Sequence, residues 1–483
     1  MEVQIISKEN VKPSSPTPPH LKIFKLSLLD QFMPSPYAPI VLFYPMIKNT
    51  NHLDVSSKLK LLKESLSQTL TCFYPLAGII KDDLSIECND KGANFVEARV
   101  TCRLHEFLAQ PDLMLINKFL PCQFVVNKST VGAFVTNIQA NIFDCDGIAI
   151  GICISHKILD GDALSTFLKG WTYASRGCNE AIYPKFVASF LFPANDLWLK
   201  NSSAVMWSSL LRKGNCITRR FVFDSSAIEK LKAQANSSGL QCPTRVETVS
   251  AFLWKSIMSA SAKVNGFQKP SLLTHIVNLR RRMEPSLSEN SLGNFLWIAA
   301  AQYTDEAKPK LSDLVSKVKE AISRIDEEFV KKIKGEEENS VLSESLKEIG
   351  EMDSYKNGRD CFGFSSWCKF GYYDADFGWG KPVWISSMGL EGSVFMNLII
   401  LVETRFGDGI EAWLTLDEQE MAILEGNQDL LKLASLNPSP LVIGRPLGTC
   451  PLPIFDYGAH LHSDDVYFTH RPIQRHQIKL KKQ

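Results

Sequence analysis

His156 and Asp160 stand four residues apart in "SHKILDGDA", which runs from Ser155 to Ala163. A neutral imidazole is the usual general base near neutral pH. The aspartate has two readings. One is a helix N-cap, since Asp is favoured immediately before an amphipathic helix. The other is a support that orients the histidine or locks its loop. A locked loop needs a cation, because a buried carboxylate is costly unpaired. "NLRRRM" offers Arg280, Arg281 and Arg282 at the end of an apolar strand, and spacing does not select among them.

The spacing alone is a weak signal, and a core histidine with a satisfied hydrogen bond produces it as easily. The chain holds its own control: His460 and Asp464, in "HLHSDD", have the same spacing. That pair lies in a proline-rich tail with no buried strand before it and no amphipathic helix after it. His156 instead ends the nearly continuous apolar run "NIFDCDGIAIGICISH", which reads as a central, buried strand. Ala163, Leu164, Phe167, Leu168 and Trp171 then form one helical face. Such a strand end keeps the backbone rigid while its side chain emerges into a cleft.

The remaining elements alternate short strands with amphipathic helices, which makes the class mixed α/β. Val55, Leu59, Leu62, Leu66 and Leu70 are spaced as a helix, stopped by Pro75 and Gly78 of "CFYPLAG". "FVEARV", "RRFVFD" and "LLTHIVNLR" read as strands. Ser226 with Glu229 and Thr244 with Glu247 have capping-box spacing. Leu311, Leu314, Val315, Val318, Ile322, Ile325 and Phe329 predict one long helix. "VFMNLIILVETRFGDGIEAWLTL" predicts a hairpin turning at Gly407, Asp408 and Gly409.

At 483 residues the chain predicts two domains. A net charge of +1 gives no field to draw nucleic acid or an anionic membrane, and favours a small, largely neutral partner. Twelve cysteines without a C-x-x-C pair point to no zinc site and no redox motif, only reduced thiols in a cytoplasmic protein. No secretory start and no apolar run of membrane length appear. Gly-x-Ser-x-Gly, P-loop and dinucleotide fingerprints are absent. "DFGWG", Asp376 to Gly380, reads as a tight turn: two glycines around a tryptophan, with Pro382 following. A kinase is rejected, because no Gly-rich loop and no His-Arg-Asp catalytic loop accompany it.

"HKILDG" and "DFGWG", about 220 residues apart in that order, together resemble the two signatures of the plant BAHD acyltransferases. "IVLFYP", "FYPLAG", "RFVFD", "NLR", "SSWCKFGYYDADFGWGKP" and "GDGIEAW" resemble family segments in the same order, over Val3 to Ser435. Within the family the chain is most similar to the alkaloid-acetylating branch. The resemblance implies a two-domain chloramphenicol-acetyltransferase-like α/β fold with a channel between the domains. His156 would be the general base midway along it. The co-substrate would be acyl-CoA, expected as acetyl-CoA, and the acceptor a small-molecule alcohol. No metal and no permanently bound cofactor are implied. Asp160 would be structural, paired with Arg280, while Asp376, Gly378, Trp379 and Gly380 would support the channel. Lys255 and Ser256 are the expected CoA contacts from family position. Monomer is the family default.

Four stretches are expected: a first acyltransferase domain over 1–190, a connection over 191–218, a second domain over 219–436 and a loose extension over 437–483. Asp146 stands where the family commonly has glycine, and the extension has no family counterpart. The rival reading from another class is a non-catalytic binding or partner protein with the same fold.

Overall fold

A computed structural model describes residues 1–33, 37–46, 53–122, 130–178, 180–194, 207, 210–236, 243–305, 307–334, 338–352, 358–389 and 392–443. The His460–Asp464 pair and the extension beyond 443 lie outside them. Two sheets organise the chain. The first has six strands in the order Val3–Val11, Ala93–Val100, Thr136–Phe143, Ile148–Ser155, Tyr37–Tyr44 and Trp384–Ser386. The second runs Leu296–Tyr303, Ser271–Asn278, Asp360–Ser366, Leu398–Glu403, Ile410–Asp417, Leu211–Phe223 and Gly392–Met396, with Ser435–Leu436 also on Leu211–Phe223.

The strand that ends at the candidate base is buried along its whole length. Ile148, Ile150, Ile152 and Ile154 face the core that includes the helices Val55–Cys72 and Gly161–Ser175. Ala149 and Cys153 join a separate cluster on the other face. That cluster also takes Val402 and Trp413 from the second sheet, so apolar side chains of both sheets meet there. Gly151 is required on this face: a Cβ would lie 2.0 Å from the Phe119 carbonyl oxygen.

Several expectations need correction. "NIFDCDGIAIGICISH" is not one strand but a hairpin: Thr136–Phe143 and Ile148–Ser155 pair antiparallel. The turn between them holds Asp146 at φ 59°, the left-handed region that favours glycine, which accounts for the glycine expected at that place. The long helix of 311–329 is broken. One helix ends at Ser323, and Asp326 caps a new one, Glu327–Lys332, by accepting from the Phe329 amide at 2.9 Å. Asp224, not Ser226, accepts the Ala227 amide at 2.7 Å where the helix Ser225–Asn236 begins. The Thr244–Glu247 capping box is present as expected.

The chain does not divide cleanly at residue 219. After Asp360–Ser366 it crosses back and lays Trp384–Ser386 against Tyr37–Tyr44 of the first sheet. Phe377 enters the first core with Tyr372 and Tyr373. Nor is the stretch after 436 loose from its start. Asn437 donates its amide to the Arg220 carbonyl at 2.7 Å, Arg220 donates to the Pro438 carbonyl, and Ser439 Oγ donates to the Leu108 carbonyl at 2.8 Å. Arg220 is fully buried against Glu411, 2.7 Å away.

Candidate active site

From Ile148 to Asp160 every residue is buried except His156. The strand ends at Ser155, so His156 leaves the sheet while its neighbours stay fixed. Lys157 beside it is held by Asp83 at 2.7 Å. The imidazole is half-buried, and burial pulls its pKa below the ordinary 6.5, with Asp160 and Asn294 acting in the opposite direction.

Asn294 decides which ring nitrogen carries the proton. Its Nδ2 donates to the His156 carbonyl at 2.8 Å and to Asp30 Oδ1 at 2.8 Å. Both of those atoms only accept, so the amide orientation is fixed by chemistry. Asn294 Oδ1 therefore faces His156 Nδ1, 3.1 Å away, and Nδ1 must be the donor. Nε2 is left as the basic nitrogen, and it makes no hydrogen bond among the described residues.

Asp30 anchors this arrangement. It is the N3 residue of a capping box on Leu28–Phe32, with Ser27 as the cap. One oxygen accepts from the Ser27 amide and hydroxyl at 2.8 and 2.7 Å, the other from the Asn294 amide and Nδ2 at 2.9 and 2.8 Å. Burial lifts its pKa, while these donors pull it down. Neither Asp30 nor Asn294 was among the sequence candidates. Asp30 had a signal, the S-x-x-D spacing of Ser27 to Asp30. Asn294 had none, because its role rests on contacts 264 and 138 residues away.

Asp160 fills both of its sequence roles at once. Oδ1 caps the helix Gly161–Ser175 by accepting the Ala163 amide at 2.9 Å. The same carboxylate takes two bonds from Arg280, at 2.7 and 3.0 Å, and the Phe295 amide at 3.0 Å. Arg280 also donates to the carbonyls of Ser291 and Gly293, both at 3.1 Å. Of the three arginines, Arg280 is the one buried, and every part of this pair is satisfied. Phe295 follows Asn294 directly. The segment that locks Asp160 is thus the segment that orients His156.

The "DFGWG" turn does not touch His156. Asp376 Oδ1 accepts the amides of Gly378 and Gly380 at 2.8 and 2.9 Å, and both glycines are left-handed, at φ 104° and 108°. The Phe377 carbonyl accepts from Ser175 Oγ at 2.6 Å, and Trp379 stacks on Phe377. The turn pins the crossing segment to the end of the helix Gly161–Ser175. Lys255 and Ser256 lie in the helix Arg245–Asn265, neither bonded to the His156 cluster. Ser256 is buried, with its hydroxyl donated to the Phe252 carbonyl at 2.9 Å. No group of three or more metal-ligating side chains occurs among the described residues, and no described helix is long and apolar enough to cross a membrane.

The model of a family described as the Transferase family matches residues 1–431. A limonoid 7-O-acetyltransferase of Citrus sinensis is 45% identical over 91% of this chain and all of its own. A stemmadenine O-acetyltransferase of Catharanthus roseus is 36% identical over 89% of this chain and 98% of its own. The crystal structure of vinorine synthase is 32% identical, with a TM-score of 0.74, over 89% of this chain and 98% of its own. The two-domain mixed α/β fold and these relatives thus define the acyltransferase class. The chain belongs to the Transferase family, the BAHD acyltransferases, which use acyl-CoA as co-substrate.

Proposed function

We propose that this protein transfers an acetyl group from acetyl-CoA to the hydroxyl of a polycyclic specialised metabolite, with His156 as the general base. The observation that carries the reading is the Asn294–His156 hydrogen bond, which leaves Nε2 unprotonated and unpartnered on a half-buried side chain just past a strand end. Acyl-CoA and acceptor reach His156 from opposite ends of a channel between the halves. Nε2 takes the proton of the acceptor hydroxyl, and the oxygen attacks the thioester carbonyl. The tetrahedral intermediate collapses, the C–S bond breaks, and the imidazolium returns its proton to the CoA sulfur. No acyl-enzyme is required. Asp160 and Arg280 hold the loop, Asp376, Gly378, Trp379 and Gly380 hold the crossing segment, and Lys255 and Ser256 are the proposed CoA contacts. The working form is a cytoplasmic monomer.

The sequence resemblance favours an alkaloid-like alcohol as acceptor. The 45% identity to a protein named for limonoid 7-O-acetylation supports a second acceptor class, a limonoid-type alcohol. Acetyl-CoA-dependent thiol release with alcohols of both classes, run beside His156→Ala, tests the reading and chooses between them. Acceptor-dependent release that vanishes in the variant is the expected result. A folded protein that binds no CoA and releases none would favour a non-catalytic partner with the family fold.

A further inference from the structure

Away from His156, on the outer face of the helix Gly161–Ser175, lies a cleft of 590 Å³. The helix forms one wall, the 280–290 segment a second, and the crossing segment before "DFGWG" a third. Six cationic side chains line it against four carboxylates. The carboxylates are largely engaged already. Asp374 pairs with Lys381 at 2.8 Å, Asp162 accepts from Asn278 at 2.8 Å, and Asp376 holds two backbone amides. Lys169, Arg281 and Lys369 form no ion pair among the described residues. Lys369 is held there at φ 70°, a left-handed backbone unfavourable to any residue with a side chain. Lys169, Arg281 and Lys369 converge on one concave space in which Glu289 is the one lining carboxylate not engaged in this way, so the cations outnumber it three to one.

We infer that this cleft is a second binding site, separate from the acyl-transfer site, for a phosphorylated small molecule of nucleotide size. The volume lies within the range of small-molecule sites. A guanidinium and two ammoniums on three walls suit a ligand carrying several phosphate charges rather than one carboxylate. The floor gives the site a route to catalysis, because Arg280 lines it while its guanidinium grips Asp160. An anion above Arg280 competes with Asp160 for that guanidinium and loosens the loop that carries His156. This consequence rests on His156 being the base; binding itself does not.

The test uses the full chain and ATP without divalent metal as the probe, with calorimetric titration for binding and thiol release for activity. ATP should bind and adenosine should not. Lys169→Gln, Arg281→Gln and Lys369→Gln combined should weaken ATP binding at least tenfold and leave probe-free kcat within twofold. Bound ATP should lower kcat with the KM for acetyl-CoA unchanged, and the triple variant should abolish that effect. A control carrying Lys8→Gln, Lys60→Gln and Lys432→Gln should bind ATP normally. Equal weakening in the control would overturn the site as unspecific charge attraction. Displacement of ATP by saturating CoA would overturn its separateness. Binding that persists in His156→Ala separates failure of this inference from failure of the catalytic reading.

Discussion

Asn294 touches His156 twice, once at the ring and once at the backbone: Oδ1 lies 3.1 Å from Nδ1, and Nδ2 donates to the carbonyl at 2.8 Å. One amide thus sets both the tautomer of the imidazole and the direction in which it leaves the sheet. Asn294→Ala should lower kcat by about tenfold or more, less than the ~10²–10⁴ of losing the base itself. It should also cost about 1–3 kcal/mol, since Asp30 and the His156 carbonyl lose a buried donor. An unchanged kcat in a folded Asn294→Ala protein would remove the tautomer argument.

His156→Ala should reduce acceptor-dependent thiol release by about two to four powers of ten. Its half-buried side chain leaves the fold intact, so the far-ultraviolet spectrum should not change. Full activity in this variant would dispose of the base mechanism.

The rate should depend on pH with a definite sign. The neutral imidazole is the active form, and burial places its pKa below 6.5. Activity should therefore be retained down through pH 6.5 and fall only at lower pH as His156 takes up a proton. An acid limb of kcat/KM centred above 6.5 would contradict the assigned environment.

Asp160→Ala and Arg280→Ala should each destabilise by about 3–5 kcal/mol, because each strands a buried charge. The double variant should cost clearly less than the two together, since they share one interaction. Denaturant titration of the four proteins reads this, and simple additivity would show that the two residues act independently.

Much of the site was legible because its signals are local. The apolar run to His156, the helical face after Asp160 and the glycines of "DFGWG" each follow from a few adjacent residues. The choice of Arg280 over its two neighbours was not legible from spacing. It depends on which side chain turns inward after Ser271–Asn278, and that is set by packing against Ser291 and Gly293. Asn294 was invisible for the same reason. The single helix expected over 311–329 failed because Ile325 and Phe329 continue the apolar period across a break, and period alone does not register the cap at Asp326.

A chain ending at Ile443 should melt higher than one ending at Leu436. The longer one keeps the Asn437, Pro438 and Ser439 contacts, and the shorter leaves the buried Arg220 with unmet donors, worth about 1–3 kcal/mol. Both lie within the compact unit Met1–Arg445. Equal melting temperatures would show that these contacts add nothing.

The return of Trp384–Ser386 to the first sheet sets the order in which the molecule can be made. On the ribosome, Tyr37–Tyr44 is synthesised early with one flank bare, and its partner strand arrives only after most of the message has been read. Tyr44 meets the Ala375 carbonyl across 331 positions of chain. Until then the nascent protein carries an open, apolar flank of the kind that recruits other chains. Expressed alone, residues 1–190 should aggregate for want of that strand, and supplying the second half in the same cell should rescue them.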